Sequence, residues 1–184
     1  MAADPADVLI EPVPPGALRG RLLEAAYGIY CAALALDPES ASARAWRDEW
    51  LEAHSRRDDF SFLVAREGGE IVGFVYGYTG SYGQWWTERV ATGLDEQTRA
   101  DWLDPPHYEV CELHVRPDLQ RRGIGARLLD GLLASQPHDR ALLTANPAAA
   151  QPLPFYRKRG WRELADVTFG EGYPRYVLLG KLLP

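Results

Sequence analysis

Several residue types that would point to particular functions are scarce in this chain. Its 184 residues include two cysteines, one methionine and four histidines. Cys31 and Cys111 lie far apart, in segments that read as helix and strand, so neither a disulfide framework nor a Cys-x-x-Cys redox or zinc motif is available. Two small buried thiols in a reducing, cytoplasmic setting are expected instead. His54, His107, His114 and His138 show no ligand spacing with one another or with the cysteines, so no metal site is expected. Long apolar runs are missing too. The longest, Ala25 to Leu36, falls short of the roughly 20 residues that a bilayer-spanning helix needs, and no membrane role is expected. There is no basic surplus either: at a net charge of -6 the chain lacks the broad basic surface that nucleic-acid binding requires. Met1 to Asp7 is acidic and punctuated by Pro5, the reverse of a basic export signal.

The chain is 46% hydrophobic and 25% charged, which at this length suits one globular domain with one good core. Val8 to Pro12 reads as a short strand. Leu22, Ala26, Ile29 and Ala33 recur at helical spacing. Ser40 or Ser42 offers an N-cap to a second helix, whose stripe Ala43, Trp46, Trp50 and Ala53 puts both tryptophans in the core. Phe60 to Arg66 and Ile71 to Tyr78 are β-rich runs joined by Glu67-Gly68-Gly69-Glu70, a hairpin signal. Thr79 to His107 is a long irregular connection with a short helix from Asp95 to Leu103. Tyr108 to Val115 is a strand, followed by a basic turn and a helix carrying Ile124, Leu128, Leu129, Leu132 and Leu133. Ala141 to Ala145 follows as a strand parallel to Tyr108 to Val115. A helix over 148–159, disturbed by Pro152 and Pro154 and capped by Gly160, precedes strands over 161–169 and 176–183.

The basic turn carries the chemistry. Arg116, Arg121, Arg122 and Arg127 face the single acid Asp118, a local charge opposite in sign to that of the whole chain. Gly123 and Gly125 let backbone N–H groups approach a ligand, and the helix starting there turns its unpaired donors outward, an arrangement suited to a phosphate. A dinucleotide fingerprint would need a third glycine where Leu128 stands and a turn tight against the strand, yet seven residues separate Val115 from Gly123. A Walker loop would need Lys-Ser/Thr where Ala126-Arg127 stands. What remains is a pyrophosphate cradle or a solvated basic turn.

Val115-x-Pro117-x-x-Gln120-Arg121-Arg122-Gly123-Ile124-Gly125-Ala126 resembles the acetyl-CoA signature of the GNAT acetyltransferase superfamily. Phe155-Tyr156-Arg157-Lys158-Arg159-Gly160-Trp161 is similar to that family's Phe-Tyr-x-x-x-Gly-Phe/Trp segment, and Tyr176 to Leu182 to its last strand. The order of elements fits from about residue 8 to 183, so the resemblance covers nearly the whole chain. It implies an α/β fold: a mixed, mostly antiparallel sheet of six to seven strands flanked by about four helices, with a parallel, splayed strand pair at the cofactor site. Residues 1–184 would then form a single acetyltransferase domain.

The same resemblance implies acetyl-CoA as cofactor. Its pyrophosphate would lie on the backbone N–H groups of Arg121 to Ala126 (Arg121, Arg122, Gly123, Ile124, Gly125, Ala126), next to Gln120, with Arg121, Arg122 and Arg127 adding charge. Backbone groups of Leu113, His114 and Val115 would meet the pantetheine arm and thioester, and a freed N–H there could stabilise an oxyanion. Tyr156 matches the family tyrosine at the sulfur, suited to protonate the leaving thiolate; the alternative is a packing aromatic beside Phe155. Strand alternation puts Tyr108, Val110, Glu112 and His114 on one face, toward the substrate cleft, and Glu109, Cys111, Leu113 and Val115 on the other. Glu112 is thus the base or the group that orients the substrate ammonium, with His114 a further base candidate. Where family members often carry an asparagine seven residues before the tyrosine this chain has Ala149; Asn146, ten residues before Tyr156, could reach the cofactor from the strand end.

For the acceptor, the resemblance points to the first two helices and the Thr79 to His107 connection. Trp85, Trp86, Tyr78 and Glu112 are the substrate candidates, with Tyr82, Asp37, Glu49 and Glu88 nearby in sequence. Aromatics beside carboxylates suit an amine with apolar or cationic surface; equally, Trp85-Trp86 could anchor the connection to the core. The implied activity is acetyl transfer to a small-molecule amine by direct attack in a ternary complex, and a homodimer is compatible with it. Two alternatives stand beside it: acetylation of a protein N-terminus or lysine, and a non-catalytic acyl-CoA-binding regulatory domain.

Overall fold

The computed structural model describes residues 8–14 and 16–184; the acidic Met1 to Asp7 lies outside the described residues. Seven strands form one mixed sheet in the order β1-β2-β3-β4-β5-β7-β6. Their ranges are β1 Leu9–Pro12, β2 Ser61–Glu67, β3 Glu70–Gly80, β4 His107–Val115, β5 Arg140–Ala145, β6 Arg162–Thr168 and β7 Arg175–Leu182. β4 and β5 run parallel, while β1–β2, β2–β3, β5–β7 and β6–β7 are antiparallel. The helices are α1 Arg21–Leu34, α2 Ala41–Ala45, α3 Leu51–Ser55, α4 Trp85–Ala91, α5 Glu96–Thr98, α6 Ile124–Leu133 and α7 Pro152–Arg157. Backbone contacts gather the chain into two compact units, one of residues up to Tyr78 with Cys111–Gln136, the other of Thr79–Val110 with the remainder.

In the first unit, α1 buries Ala26, Tyr27, Ile29, Tyr30 and Cys31, the helical stripe that packs on Phe62, Val64, Phe74 and Tyr76 of β2 and β3. Ser40 caps α2 by accepting from the Ala43 N–H at 3.3 Å. A π-turn over Trp46–Trp50 joins α2 to α3. Trp46 is fully buried and stacks on Tyr30 at 4.3 Å, whereas Trp50 is 48% exposed. The wider π-turn inserts about one extra residue, so Leu51 rather than Trp50 follows Trp46 into the core, contrary to a regular helical stripe. The β2–β3 hairpin closes at Glu67 opposite Glu70 through Gly68 (φ 59°) and Gly69 (φ 86°), a two-residue turn that glycine accommodates without strain. α6 buries Leu128, Leu129 and Leu132 and packs on β1 and β2.

In the second unit, β5, β6 and β7 carry Leu142, Val167 and Leu178 into a cluster with Val90 of α4 and Leu103. The connection over 79–107 is therefore more ordered than its glycines suggest, with α4 starting at Trp85 and a π-turn over Arg99–Leu103 after α5. Gly180 is required beneath Trp102, since a Cβ there would sit 2.6 Å from the indole ring. α7 begins at Pro152, so Pro152 and Pro154 occupy its first turn, where no intrahelical N–H bond is lost. Gly160 takes φ 77° just past the helix, and its N–H donates to the Arg157 carbonyl.

Candidate active site

The turn after β4 is built from its backbone outward. The Arg116 N–H donates to the Val72 carbonyl at 2.9 Å, a short 3-10 turn runs over Pro117–Leu119, and the Gln120 side-chain amide donates to the Val115 carbonyl at 3.1 Å. Arg121 (φ 66°) and Gly123 (φ 82°) then take left-handed conformations, which turn successive N–H groups toward one side. Gly123 is the N-cap of α6, and no side chain caps that end. Ile124, Gly125 and Ala126 form the first turn, where an α-helix has no acceptors for its own N–H groups. Holding Arg121 left-handed costs roughly 1 kcal/mol or more, so the surrounding structure must fix it. A residue set of this kind fits a pyrophosphate.

The four arginines of the turn differ in their partners. Arg116 faces Asp118 at 2.7 Å and Glu70 at 3.6 Å, and its guanidinium holds the Asp118 carboxyl below the usual range. Arg122 is partly buried against Glu67, with guanidinium to carboxylate distances of 2.6 and 3.4 Å. Arg121 and Arg127 are exposed.

On β4, His114 Nε2 and Glu112 Oε2 lie 2.6 Å apart, with side-chain exposures of 11% and 25%. The imidazole meets the Tyr30 ring edge-on at 5.3 Å and lies 5.5 Å from Phe74. Val115 is buried, and together with Leu128 of α6 it lies next to Gly73. Cys111 packs against the cluster that contains Phe74, the ring His114 also meets, so strict alternation does not hold between Cys111 and His114. The β4–β5 register covers Tyr108 with Ala141 and Glu109 with Leu142, and does not extend to Leu113.

A buried polar network beside Glu112 has no sequence signature. The Trp46 indole N–H donates to the Tyr76 hydroxyl at 3.3 Å, and His54 Nδ1 lies 3.2 Å from the same oxygen. Burial pushes the Tyr76 phenol up, and the nearby Glu112 charge adds to the rise. Burial, helped by the Arg57 charge, pulls His54 down to about 4. Tyr78 is 1% exposed, its ring covered by the Arg57 guanidinium at 4.4 Å and flanked by His54 at 5.1 Å.

Tyr156, Asn146, Trp85 and Trp86 belong to the second unit. Tyr156 is partly buried in α7, edge-on to Phe155 at 5.0 Å and to Trp161 at 5.6 Å. Asn146 Oδ1 accepts from the Ala148 N–H at 2.9 Å, a local turn that engages its side-chain oxygen. Trp86 donates to Thr144 Oγ1 at 3.3 Å and packs on the Leu142–Leu178 cluster, so it anchors the connection. Trp85 is 54% exposed and stacks on Phe169 at 5.3 Å. Sequence reading missed Glu67, His54 and Tyr76; the hairpin motif beside Glu67 was visible, but its partner Arg122 is 55 residues away.

The turn, together with the order of strands and helices around it, defines the class of protein. The model of the acetyltransferase (GNAT) family matches residues 29–161, and the chain belongs to that family. Among individual proteins, it is similar to the GCN5-like protein acetyltransferase Rv2170 of Mycobacterium tuberculosis, 33% identical over 122 residues that span 62% of this chain and 59% of that protein. A histone acetyltransferase HPA2 and related acetyltransferase from Corynebacterium glutamicum has the same fold, with a TM-score of 0.68 at 17% identity over 97% of this chain and 98% of that one. So does a GNAT family acetyltransferase from Elizabethkingia anophelis solved with acetyl-CoA bound, with a TM-score of 0.60 at 16% identity over 96% of this chain and 99% of that one.

Proposed function

We propose that the protein is an acetyl-CoA-dependent N-acetyltransferase, a single domain that transfers the acetyl group directly to a primary amine in a ternary complex. The observation that carries this reading is the turn from Gln120 to Ala126, with its left-handed Arg121 and Gly123 and an α-helix opening without a side-chain cap. Family membership supports it, as does acetyl-CoA bound in the Elizabethkingia anophelis relative of the same fold. When bound, the cofactor supplies a thioester carbon open to attack and a thiolate leaving group.

The residues have separate tasks. N–H groups of Arg121 to Ala126 and the charge of Arg121 and Arg127 hold the pyrophosphate, and backbone groups of Leu113, His114 and Val115 orient the acyl arm. Tyr156 protonates the leaving thiolate. Glu112 takes the ammonium proton directly or through water, or steers the ammonium into line, with His114 held 2.6 Å from its carboxylate. Asn146 serves the cofactor from the end of β5. Trp85, with its exposed indole, and Glu112 are the acceptor contacts we favour, whereas Tyr78 under Arg57 and Trp86 bonded to Thr144 support their own segments.

The acceptor we favour is a small-molecule amine, because the ordered 79–107 connection with exposed aromatic rings suits a compact ligand more than an extended backbone. A second reading, acetylation of a protein lysine or N-terminus, rests on the 33% identity to a relative described as a protein acetyltransferase. Thiol release from acetyl-CoA, measured over panels of small amines and of lysine and N-terminal peptides, separates the readings. Saturable release with small amines supports the first, release confined to peptides supports the second, and tight cofactor binding without release in either panel makes the chain a non-catalytic acyl-CoA-binding domain.

A further inference from the structure

The β2–β3 hairpin and the cofactor turn lie far apart in sequence yet are joined at three points. The Val72 carbonyl accepts from the Arg116 N–H at 2.9 Å, Glu70 faces Arg116 at 3.6 Å, and Glu67 grips Arg122 at 2.6 and 3.4 Å. Val72 is the extra residue of a bulge, because the register passes from Arg66 opposite Ile71 to Ala65 opposite Gly73. That bulge aims its carbonyl at the start of the turn. The hairpin tip is itself braced: Arg66 donates to Glu11 at 2.9 Å and to the Gly69 carbonyl at 3.1 Å.

Of the two ion pairs, Glu67–Arg122 is the better shielded. Their side chains are 18% and 20% exposed, against 79% for Glu70. Glu67 closes a two-residue glycine turn, so its carboxylate is offered from a rigid base. Arg122 sits between the two left-handed residues, Arg121 and Gly123, whose conformation defines the cradle. A guanidinium held at two distances by one carboxylate contributes little net positive charge to a neighbouring anion, but it fixes the backbone that carries it.

We propose that Glu67 is a positioning residue for the cofactor: by gripping Arg122 it locks the Arg121–Gly123 turn in its anion-binding form, and the compensating charge comes from other arginines, Arg121 first. This inference rests on the acetyl-CoA reading above. It makes Arg122 a structural tie of the cradle more than a phosphate ligand, and it gives the hairpin a part in cofactor recognition.

Direct electrostatics and positioning predict opposite signs. Removing the Glu67 charge near a pyrophosphate should tighten coenzyme A binding if only charge matters, whereas loss of the grip should weaken it. We expect Glu67→Gln to raise the calorimetric Kd for coenzyme A about tenfold, with Glu67→Asp between it and the unaltered protein. Salt dependence of binding should stay unchanged in Glu67→Gln and flatten in Arg121→Gln. The reversed pair, Glu67→Arg with Arg122→Glu, should bind coenzyme A more tightly than the double variant Glu67→Gln with Arg122→Gln, which carries the same net charge and lacks the tie; this comparison decides the matter even if Glu67→Gln alone fails to fold. Equal or tighter binding by a folded Glu67→Gln, or a reversed pair no better than the Glu67→Gln, Arg122→Gln double variant, overturns the proposal. Failure of the unaltered protein to bind coenzyme A overturns the cofactor reading instead, so the two failures are distinct.

Discussion

At Tyr156 the hydroxyl is the only chemistry that phenylalanine lacks, so Tyr156→Phe tests the proposed proton donor while the ring contacts with Phe155 and Trp161 remain. Turnover should fall on the order of 100-fold with the KM for acetyl-CoA little changed, as expected for a general acid. Steady-state kinetics checks this, and an unchanged kcat removes Tyr156 from the acid role. His54 makes a second prediction at the same scale. Burial holds its folded value at about 4, against 6.5 for a solvated histidine. Between those values the unfolded chain binds a proton that the folded chain refuses, so stability is full above about pH 6.5 and falls as pH drops toward 4, by on the order of 3 kcal/mol. Urea unfolding at pH 7 and pH 4.5 should show that loss, and His54→Gln should reduce it; a variant with the same pH slope would falsify the assignment.

Elements in this protein are tied together where glycine lets them come close. A Cβ on Gly73 of β3 would lie 2.9 Å from the His114 carbonyl oxygen of β4, 3.1 Å from Leu128 of α6 and 3.2 Å from Val115. One of those atoms is backbone, so the strands themselves must shift. We expect Gly73→Ala to destabilise the fold by about 1–3 kcal/mol and to lower turnover through the displaced Glu112–His114 pair. Thermal unfolding and kcat measured together test this, and a variant of full stability would show that β3 and β4 can separate at no cost. The hairpin and the start of α6 were legible from sequence, because a Gly-Gly turn and a glycine N-cap are set by backbone conformation within a few residues. The π-turn over Trp46–Trp50 was not, since apolar residues continue at helical spacing through it and only packing shows that Leu51 replaces Trp50.

For the whole molecule, any ligand that binds only the folded chain stabilises it by mass action. Coenzyme A at a hundred times its Kd should therefore add about 2.7 kcal/mol, seen as a rise in unfolding temperature that grows with concentration. Absence of any shift at saturating concentration would count against the cradle. The sequence by itself determined where most strands and helices lie and where the glycine turn before α6 falls, because apolar periodicity and glycines that permit left-handed backbone act within a few residues, and its short motifs resemble those of the family to which the chain belongs. Tertiary structure alone decided which side chains stand together. It paired Glu67 with Arg122 across 55 residues, built the Trp46–Tyr76–His54 network beside Glu112, covered Tyr78 with Arg57 and turned Trp86 onto Thr144. Such contacts follow from strand order and packing, and no pattern within one segment encodes the partner that another segment brings to it.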